Sequence, residues 1–433
     1  MNEAEAIQLA DGSSEPKEKL EAVILKHLPP RVTILSPSEG EEVTSKQVTL
    51  RYKVEGNLPI NVSVYMDGAR YDSTDSKKTR DLVFEEEKTP SEAQKAKNVE
   101  EITQQIEIPE QDVRIGLVAT DRNQLESESV TINLKWKGAT QLEEKMPNLF
   151  ILAVGVGDYI DDGIDDLNAT GNDASGFIDV LKRQEGKFYK KIEFKKLIDS
   201  ADPNSLPTKQ AIIDGLNWLV DNTKNNPNDY AFIFLAGHGV SDKNNVYYFV
   251  PKDAKKAQFR DTAVSFNDIK QAFYSIQCKK ILFVDSCHSG DVMGENVKTD
   301  GNTTKVANEL SDGNSATYVL TASTGNQTSL ELPVMDEREM STTPKMKPIL
   351  DDPALCKLCI HTKNGVFTKA LIEGLSGEAV FRGKNIITVK SLDSYIDERI
   401  TEILEGCKTD HEQNSCGASP KLMPNFPIAK KLD

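Results

Sequence analysis

The sequence has no apolar run of about 18 residues, the length that a membrane helix requires, so we expect no transmembrane span. Its first residues, MNEAEAIQLADGSSEPKEKLEAV, lack the apolar core of a secretory signal. Positive charge is also scarce, because 52 Lys and Arg residues stand against 68 Asp and Glu residues. The formal net charge of −16 repels phosphate backbones. We therefore expect neither a membrane nor a nucleic-acid partner.

Cysteine is sparse as well. Six cysteines in 433 residues are too few and too unevenly placed for a disulfide framework. We therefore expect a soluble protein of a reducing, cytoplasmic compartment. A chain of this length is also long for a single hydrophobic core, which predicts two or three compact units.

The front of the chain predicts a flexible arm followed by a β-rich domain. Residues 1–29 are mostly polar and charged, which is typical of an N-terminal arm. Over residues 30–137, short runs such as KQVTLRYKV and SVTINLKW alternate between apolar and polar side chains, with turn residues between them. This alternation predicts six or seven antiparallel strands. The number and spacing of the strands favour a β-sandwich of immunoglobulin type.

The rest of the chain predicts an α/β domain. The runs LFILAVGVGDY, AFIFLAG and KKILFVDS are continuously apolar, as expected for strands that are covered on both faces. Helical patterns separate them, so we expect a mostly parallel open sheet flanked by helices. Residues 148–291 form the first part, residues 292–314 a polar linker, and residues 315–433 a second part with an insert near 335–362.

Two short motifs follow predicted strands of this sheet, where open α/β folds place their active sites. The first is Ala236–Gly239 (AGHG), and the second is Asp285–Gly290 (DSCHSG). A thiol needs a neighbouring base to become a nucleophile, which makes Cys287 and His238 a candidate catalytic pair. A lone His or Cys at a strand end is usually structural. Two of them at strand ends, each in a motif that contains glycine, favour catalysis.

These motifs resemble those of the caspase-like cysteine peptidases, and the metacaspases more than the animal caspases. His238 precedes Cys287 by 49 residues, and caspases carry their His about 50 residues upstream. The similarity continues at residues 167–173, 321–329 and 365–371, and it covers about residues 148–430. A β-sandwich in front of such a peptidase is a familiar bacterial arrangement. The resemblance implies a caspase-like sheet flanked by helices and preceded by an immunoglobulin-like domain.

The resemblance also implies a mechanism. His238 would act as general base and then general acid, Cys287 as nucleophile, and the backbone N–H groups of Gly239 and Cys287 as the oxyanion hole. Asp173 and Asp285 match the acids that line the specificity pocket of metacaspases, which implies protein substrates with Lys or Arg before the scissile bond. Asp173 has an alternative reading as the N-cap of the following helix. No cofactor is required.

Some positions depart from the family pattern. Ala236 stands where the family has a pocket serine and Thr170 where it has a cysteine, which leaves the choice between Arg and Lys open. Many metacaspases bind calcium through acids that follow the histidine strand. Asp253 and Asp268 lie in that region, but Asn267 occupies a position where an acid is expected, so calcium also stays open.

A second candidate metal site lies in the insert and the C-terminal tail. Two cysteines separated by two residues, with a distant Cys and His, could form a tetrahedral zinc site; free thiols or a disulfide are the alternative. The candidate ligands are Cys356, Cys359, Cys407, His411 and Cys416.

The linker carries two basic residues, Lys298 and Lys305, at which the enzyme or an upstream protease could cut. Second-choice sites lie in the insert at Arg338, Lys345 and Lys347. Two other functions stay open. The chain could be a catalytically silent scaffold whose β-sandwich binds a partner, or a Cys/His esterase or acyltransferase. If the chain is a peptidase, an upstream activating protease or a regulator could control it.

Overall fold

A computed structural model of the chain describes most of both domains. The described residues are 28–56, 59–71, 99–138, 146–224, 226–244, 246–288, 297–298, 307–308, 310, 317–322, 330, 363–381, 383–407, 413–418 and 424–432, with the backbone alone at Ala69, Cys287, His288, Val297, Lys298 and Cys416. The chain divides into two compact units, with the boundary at residues 141 and 142. Within these ranges no helix is both long and apolar enough to cross a membrane.

The first unit is a β-sandwich. Its strands are β1 (Arg31–Ser36), β2 (Glu42–Val43), β3 (Gln47–Glu55), β4 (Ile60–Met66), β5 (Ala69–Arg70), β6 (Val99–Glu107), β7 (Val113–Asp121) and β8 (Val130–Trp136). They form one sheet in the order β1-β3-β6 and another in the order β2-β8-β7-β4-β5. Alternate residues of β3 are buried, as the sequence pattern predicts. Leu50 of the first sheet and Leu117 of the second lie in the same hydrophobic core, which joins the two sheets.

The second unit contains strands and helices in alternation. Its strands are β9 (Leu149–Gly155), β10 (Ile192–Ile198), β11 (Tyr230–Asp242), β12 (Tyr247–Phe249), β13 (Val264–Ser265), β14 (Lys279–His288), β15 (Val297–Lys298), β16 (Tyr318–Thr321), β17 (Ile386–Thr388), β18 (Cys416–Ala418) and β19 (Pro427–Lys430). Its α-helices are α1 (Thr170–Lys182), α2 (Lys209–Asn222), α3 (Phe259–Thr262), α4 (Phe266–Ser275), α5 (Val366–Glu373) and α6 (Val389–Gly406). A π-helical turn, Gly374–Glu378, follows α5.

The main sheet has the order β10-β9-β11-β14-β16-β18, and its first five strands are parallel. Helix α1 packs on one face of this sheet together with α5, and α2 packs on the other face together with α4. All seven residues of β9 are buried, as expected for a strand that is covered on both faces. Helix α2 begins after Thr208, whose Oγ1 accepts a hydrogen bond from the N–H of Ala211 (3.3 Å). The α/β class predicted from the sequence is therefore confirmed.

The carboxyl ends of β9, β11 and β14 lie side by side at one edge of the sheet, which is where the two sequence motifs fall. Strand β11 continues past this edge and pairs antiparallel with β12. Gly237 lies where the extension begins, and its φ of +153° strongly favours glycine.

The segment 292–314 differs from the exposed linker that the sequence predicts. Val297 and Lys298 form β15, which pairs antiparallel with Ser241 and Asp242 at the end of β11. Ala307 and Leu310 are fully buried and belong to the core beneath the sheet. The apolar side chains within this polar segment therefore anchor part of it to the domain.

Candidate active site

His238 is buried, with only 2% of its surface exposed. Its ring contacts two residues of the segment 159–165. The Nε2 atom lies 2.8 Å from the backbone oxygen of Asp165. Tyr159 stacks on the imidazole with ring centroids 5.1 Å apart, and its hydroxyl accepts a hydrogen bond from the N–H of His238 (3.1 Å). A carbonyl oxygen can only accept, so Nε2 carries the proton and Nδ1 is the nitrogen that can take a proton from a thiol. The sequence analysis missed both Tyr159 and Asp165, since neither belongs to a motif.

Cys287 lies directly beside His238. The two residues are paired in register on the neighbouring parallel strands β14 and β11, and adjacent strands run about 4.8 Å apart. His288 is the last residue of β14 and pairs with Gly239.

Gly239 must be glycine for a packing reason. A Cβ atom there would lie 2.5 Å from the hydroxyl oxygen of Tyr247. That hydroxyl donates a hydrogen bond to Ser286 Oγ (3.2 Å), next to Cys287. Burial raises the pKa of Tyr247 to about 12, so the hydroxyl keeps its proton and stays a donor at neutral pH. The backbone beside the candidate catalytic pair is therefore fixed by a buried tyrosine.

The two acids that the sequence analysis assigned to a pocket converge. Asp173 on α1 and Asp285 on β14 are 2% and 6% exposed. Their Oδ2 atoms lie 3.5 Å and 3.4 Å from the point that a Cβ atom of Gly365 would occupy. Two carboxylates that meet in a sheltered place favour a bound cation.

Residues of the second part of the domain donate hydrogen bonds to both acids. Asp173 Oδ1 accepts hydrogen bonds from the Asn364 amide (2.9 Å) and from the N–H of Gly365 (3.0 Å). Asp285 Oδ2 accepts one from the Thr368 hydroxyl (2.6 Å). The sequence analysis assigned no role to these three residues, although Gly365 and Thr368 lie in a stretch that resembles the family.

The alternative reading of Asp173 as an N-cap is wrong. Helix α1 begins after Ala169, which makes no side-chain cap, and Asp173 lies inside the first turn. Its N–H donates to Ala169 O (2.9 Å), and its carboxylate points toward residues 364 and 365 instead of capping the helix.

The two candidate calcium ligands accept hydrogen bonds at the N-termini of helices. Asp253 accepts a hydrogen bond from the N–H of Lys209 (2.8 Å) at the start of α2. Asp268 forms a capping box with Ser265 at the start of α4. Across the part of the chain that the structure describes, no cluster of three or more His, Cys, Asp or Glu residues could hold a metal ion.

The candidate zinc ligands need a correction. Cys407 is disulfide-bonded, and a disulfide sulfur is not the thiolate that binds zinc. Cys356, Cys359 and His411 lie outside the described residues, and Cys416 is described by its backbone in β18. Of the two alternatives to zinc, free thiols or a disulfide, Cys407 forms the disulfide. Cys278, by contrast, is a buried free thiol, and burial raises its pKa to about 12.

Comparison with known proteins identifies the class. The family model described as the caspase domain matches residues 150–426, well over half of the chain. The chain therefore belongs to the caspase-domain family.

Individual relatives match shorter stretches. The chain is similar to a protein named Metacaspase-1 of Plasmodium falciparum (isolate 3D7), with 31% identity over 136 residues, which are 29% of this chain and 21% of that protein. A protein of the same name from Plasmodium berghei (strain Anka) is 36% identical over 74 residues, which are 17% of this chain and 12% of that protein. The matched region thus spans about a fifth of the first relative's length and less of the second.

Solved structures show weaker likeness. The crystal structure of protein GSU0716 from Geobacter sulfurreducens covers 66% of this chain and 95% of its own, with 14% identity and a TM-score of 0.38. That likeness is too low to carry an argument about function.

Proposed function

We propose that this chain is an endopeptidase that cuts after Lys or Arg, with Cys287 as nucleophile and His238 as base. The observation that carries the proposal is the register of β11 and β14, which pairs His238 with Cys287 at the edge where Asp173 and Asp285 also converge. A nucleophile, its base and a cation-selective pocket are then all within reach of one peptide.

The proposed reaction follows from the protonation state of the imidazole. Nδ1 of His238 takes the thiol proton, and the thiolate attacks the carbonyl carbon of the scissile bond. The negative charge on the carbonyl oxygen would be met by the N–H groups of Gly239 and Cys287. The imidazolium then gives its proton to the leaving amine, and water, deprotonated by the same nitrogen, hydrolyses the thioester.

The proposed preference for Lys or Arg rests on charge. Hydrogen bonds from neutral groups already hold one oxygen of each acid, Asp173 Oδ1 and Asp285 Oδ2, and orient both carboxylates. A guanidinium or ammonium group can compensate two buried negative charges, whereas an aspartate side chain would add a third. Substrates with Asp before the cut should therefore be poor.

The test combines two variants with a set of peptides. Wild type, Cys287→Ala and His238→Ala are compared on fluorogenic peptides that end in Arg, Lys or Asp before the reporter. We expect cleavage after Arg and Lys, and a loss of at least about a thousand-fold in each variant, because nucleophile and base act as one unit. A Cys287→Ala variant that keeps its activity contradicts the dyad. Hydrolysis of simple thioesters without peptide cleavage would instead support the esterase alternative.

We further propose cleavage within residues 292–314, by the enzyme or by an upstream protease. A protease binds its substrate as an extended strand, and the backbone of Lys298 is already paired in β15. Lys305 is therefore the better of the two sites. Intact-mass analysis under conditions that give activity checks this, and a cut only after acidic residues would contradict it.

The proposed cytoplasmic location rests on the sequence alone. The immunoglobulin type of the first domain likewise stays a prediction.

A further inference from the structure

Gln413 lies in the C-terminal part of the chain, yet its side chain joins two backbone positions near the candidate site. It is 2% exposed. Its Oε1 accepts a hydrogen bond from the N–H of Leu330 (2.9 Å), and its Nε2 donates one to the carbonyl of Ala322 (2.9 Å). One amide group therefore fixes the positions of residues 322 and 330 relative to each other.

Both positions lead to the acidic pair. On one side, the N–H of Ala322 donates to the carbonyl of Val284 (2.8 Å), the residue before Asp285. On the other side, the carbonyl of Leu330 accepts from the N–H of Val366 (3.0 Å), the residue after Gly365. The N–H of Gly365 in turn donates to Asp173. Gln413 is thus connected to each of the two carboxylates through a short series of hydrogen bonds that involve backbone groups.

We infer that Gln413 is a positioning residue for the specificity pocket, an inference that rests on the proposed preference for basic substrates. By holding Leu330, it fixes the backbone at Gly365 and Val366, around which the two carboxylates converge. The role needs a side chain with both a donor and an acceptor, which Gln supplies. Leucine offers neither group, and ionised glutamate can only accept.

The chain offers a matched control in Gln184. Its side chain is also fully buried and also joins backbone atoms, because Nε2 donates to Lys430 O (2.7 Å) and Oε1 accepts from Lys430 N (3.0 Å). These contacts connect the end of α1 to β19 and touch none of the groups at the acidic pair. A purely structural role predicts the same behaviour for both glutamines.

The experiment compares Gln413→Leu, Gln413→Glu and Gln184→Leu with wild type. Urea unfolding should show a similar loss of stability for both leucine variants. For Arg and Lys peptides, only the Gln413 variants should raise KM, by about ten-fold, which is the effect of about one lost hydrogen bond. The rate at which iodoacetamide alkylates Cys287 should not change, because the thiol and its base are left in place. An unchanged KM, or an equal rise in Gln184→Leu, overturns the inference.

Hydrogen exchange gives a readout that does not depend on activity. Gln413→Leu should speed amide exchange in residues 363–368 by about ten-fold, and Gln184→Leu should leave these amides unchanged. If wild type cuts no basic peptide, the proposed specificity fails, and the exchange rates still decide whether Gln413 holds this segment. Unchanged exchange in Gln413→Leu refutes the positioning role.

Discussion

Lys252 holds the segment that contacts the imidazole of His238. Its Nζ lies 2.6 Å from Asp158 Oδ2 and 3.0 Å from Asp199 Oδ1. Asp199 Oδ2 also accepts hydrogen bonds from the N–H groups of Gly157 (2.7 Å) and Asp158 (3.0 Å). The chain then runs directly to Tyr159 and on to Asp165, both of which contact His238. We therefore predict that Lys252→Met disturbs catalysis as well as stability.

The solvent exposure of the ion pairs of Lys252 decides how much stability Lys252→Met loses. The side chain of Asp158 is 71% exposed, so its ion pair contributes little. Lys252 and Asp199 are 11% and 23% exposed, so their pair is sheltered. Breaking it should cost between the roughly 0.5 kcal/mol of an exposed pair and the roughly 4 kcal/mol of a buried one, hence about 2 kcal/mol.

The pKa of Lys252 indicates the pH range of the assay. Burial lowers this pKa, but the hydrogen bonds to Asp158 and Asp199 outweigh that effect, and the net change is upward. A lysine whose pKa is higher in the folded state stabilises the fold fully below its unfolded pKa of 10.5 and loses that contribution as the pH rises through the folded value. Measurements near neutral pH therefore see the whole effect.

The assay pairs urea unfolding with kinetics on a basic peptide. For Lys252→Met we expect a loss of about 2 kcal/mol, as above, and a fall in kcat of about ten-fold with little change in KM, since general base catalysis contributes about 10²- to 10⁴-fold. Lys191→Met is the control, because Lys191 pairs with Glu193 at 2.7 Å on the surface and its side chain is 64% exposed. An unchanged kcat, despite the loss of stability, would refute the positioning of His238 through Lys252.

Two further predictions concern buried polar groups. Burial lowers the pKa of Lys280 to about 8 from 10.5, so the unfolded chain binds more protons across that interval and stability rises with pH. In urea unfolding, the stability of wild type relative to Lys280→Met should rise by about 2 kcal/mol between about pH 7.5 and about pH 9.5, and a constant difference would contradict the burial of a charged ammonium. Thr368→Val removes the hydroxyl that donates to Asp285, and it should cost about 1–2 kcal/mol and raise KM for basic peptides several-fold. A loss of stability without any change in KM would show that Thr368 does not contribute to the binding of basic peptides.

Local patterns in the sequence predict much of the fold. The continuous apolar runs of β9 and β11 and the alternation in β3 report burial directly, because the periodicity of burial is a property of a single strand. Thr208 ahead of α2 is likewise a local signal, since a cap depends on neighbouring residues only. The two-residue strand β15 has no period to detect. It forms because the end of β11 extends beyond the sheet and offers a partner.

The residues of the candidate site likewise fall into those that local sequence patterns predict and those that they do not. His238 and Cys287 stand in short motifs that follow predicted strands, so the sequence alone predicts that they lie at the ends of strands. Asn364, Thr368 and Gln413 could not be found in this way, because their polar contacts depend on how distant parts of the chain pack. Each is an ordinary polar residue in the sequence, and its partner lies 83 or more residues away.

Because these polar contacts join distant parts of the chain, they also determine whether a chain cut between those parts could keep its function. The acids Asp173 and Asp285 precede the segment 292–314, whereas the groups that hold them, at residues 364–368, follow it. The parallel pairing of β14 with β16 also joins the two parts, from Ile281 opposite Tyr318 to Val284 opposite Thr321. A cut within 292–314 breaks none of these contacts, so both fragments should stay associated with the acidic pair intact. The first part alone would keep both acids and both candidate catalytic residues but lose every partner that the described second part gives the two carboxylates.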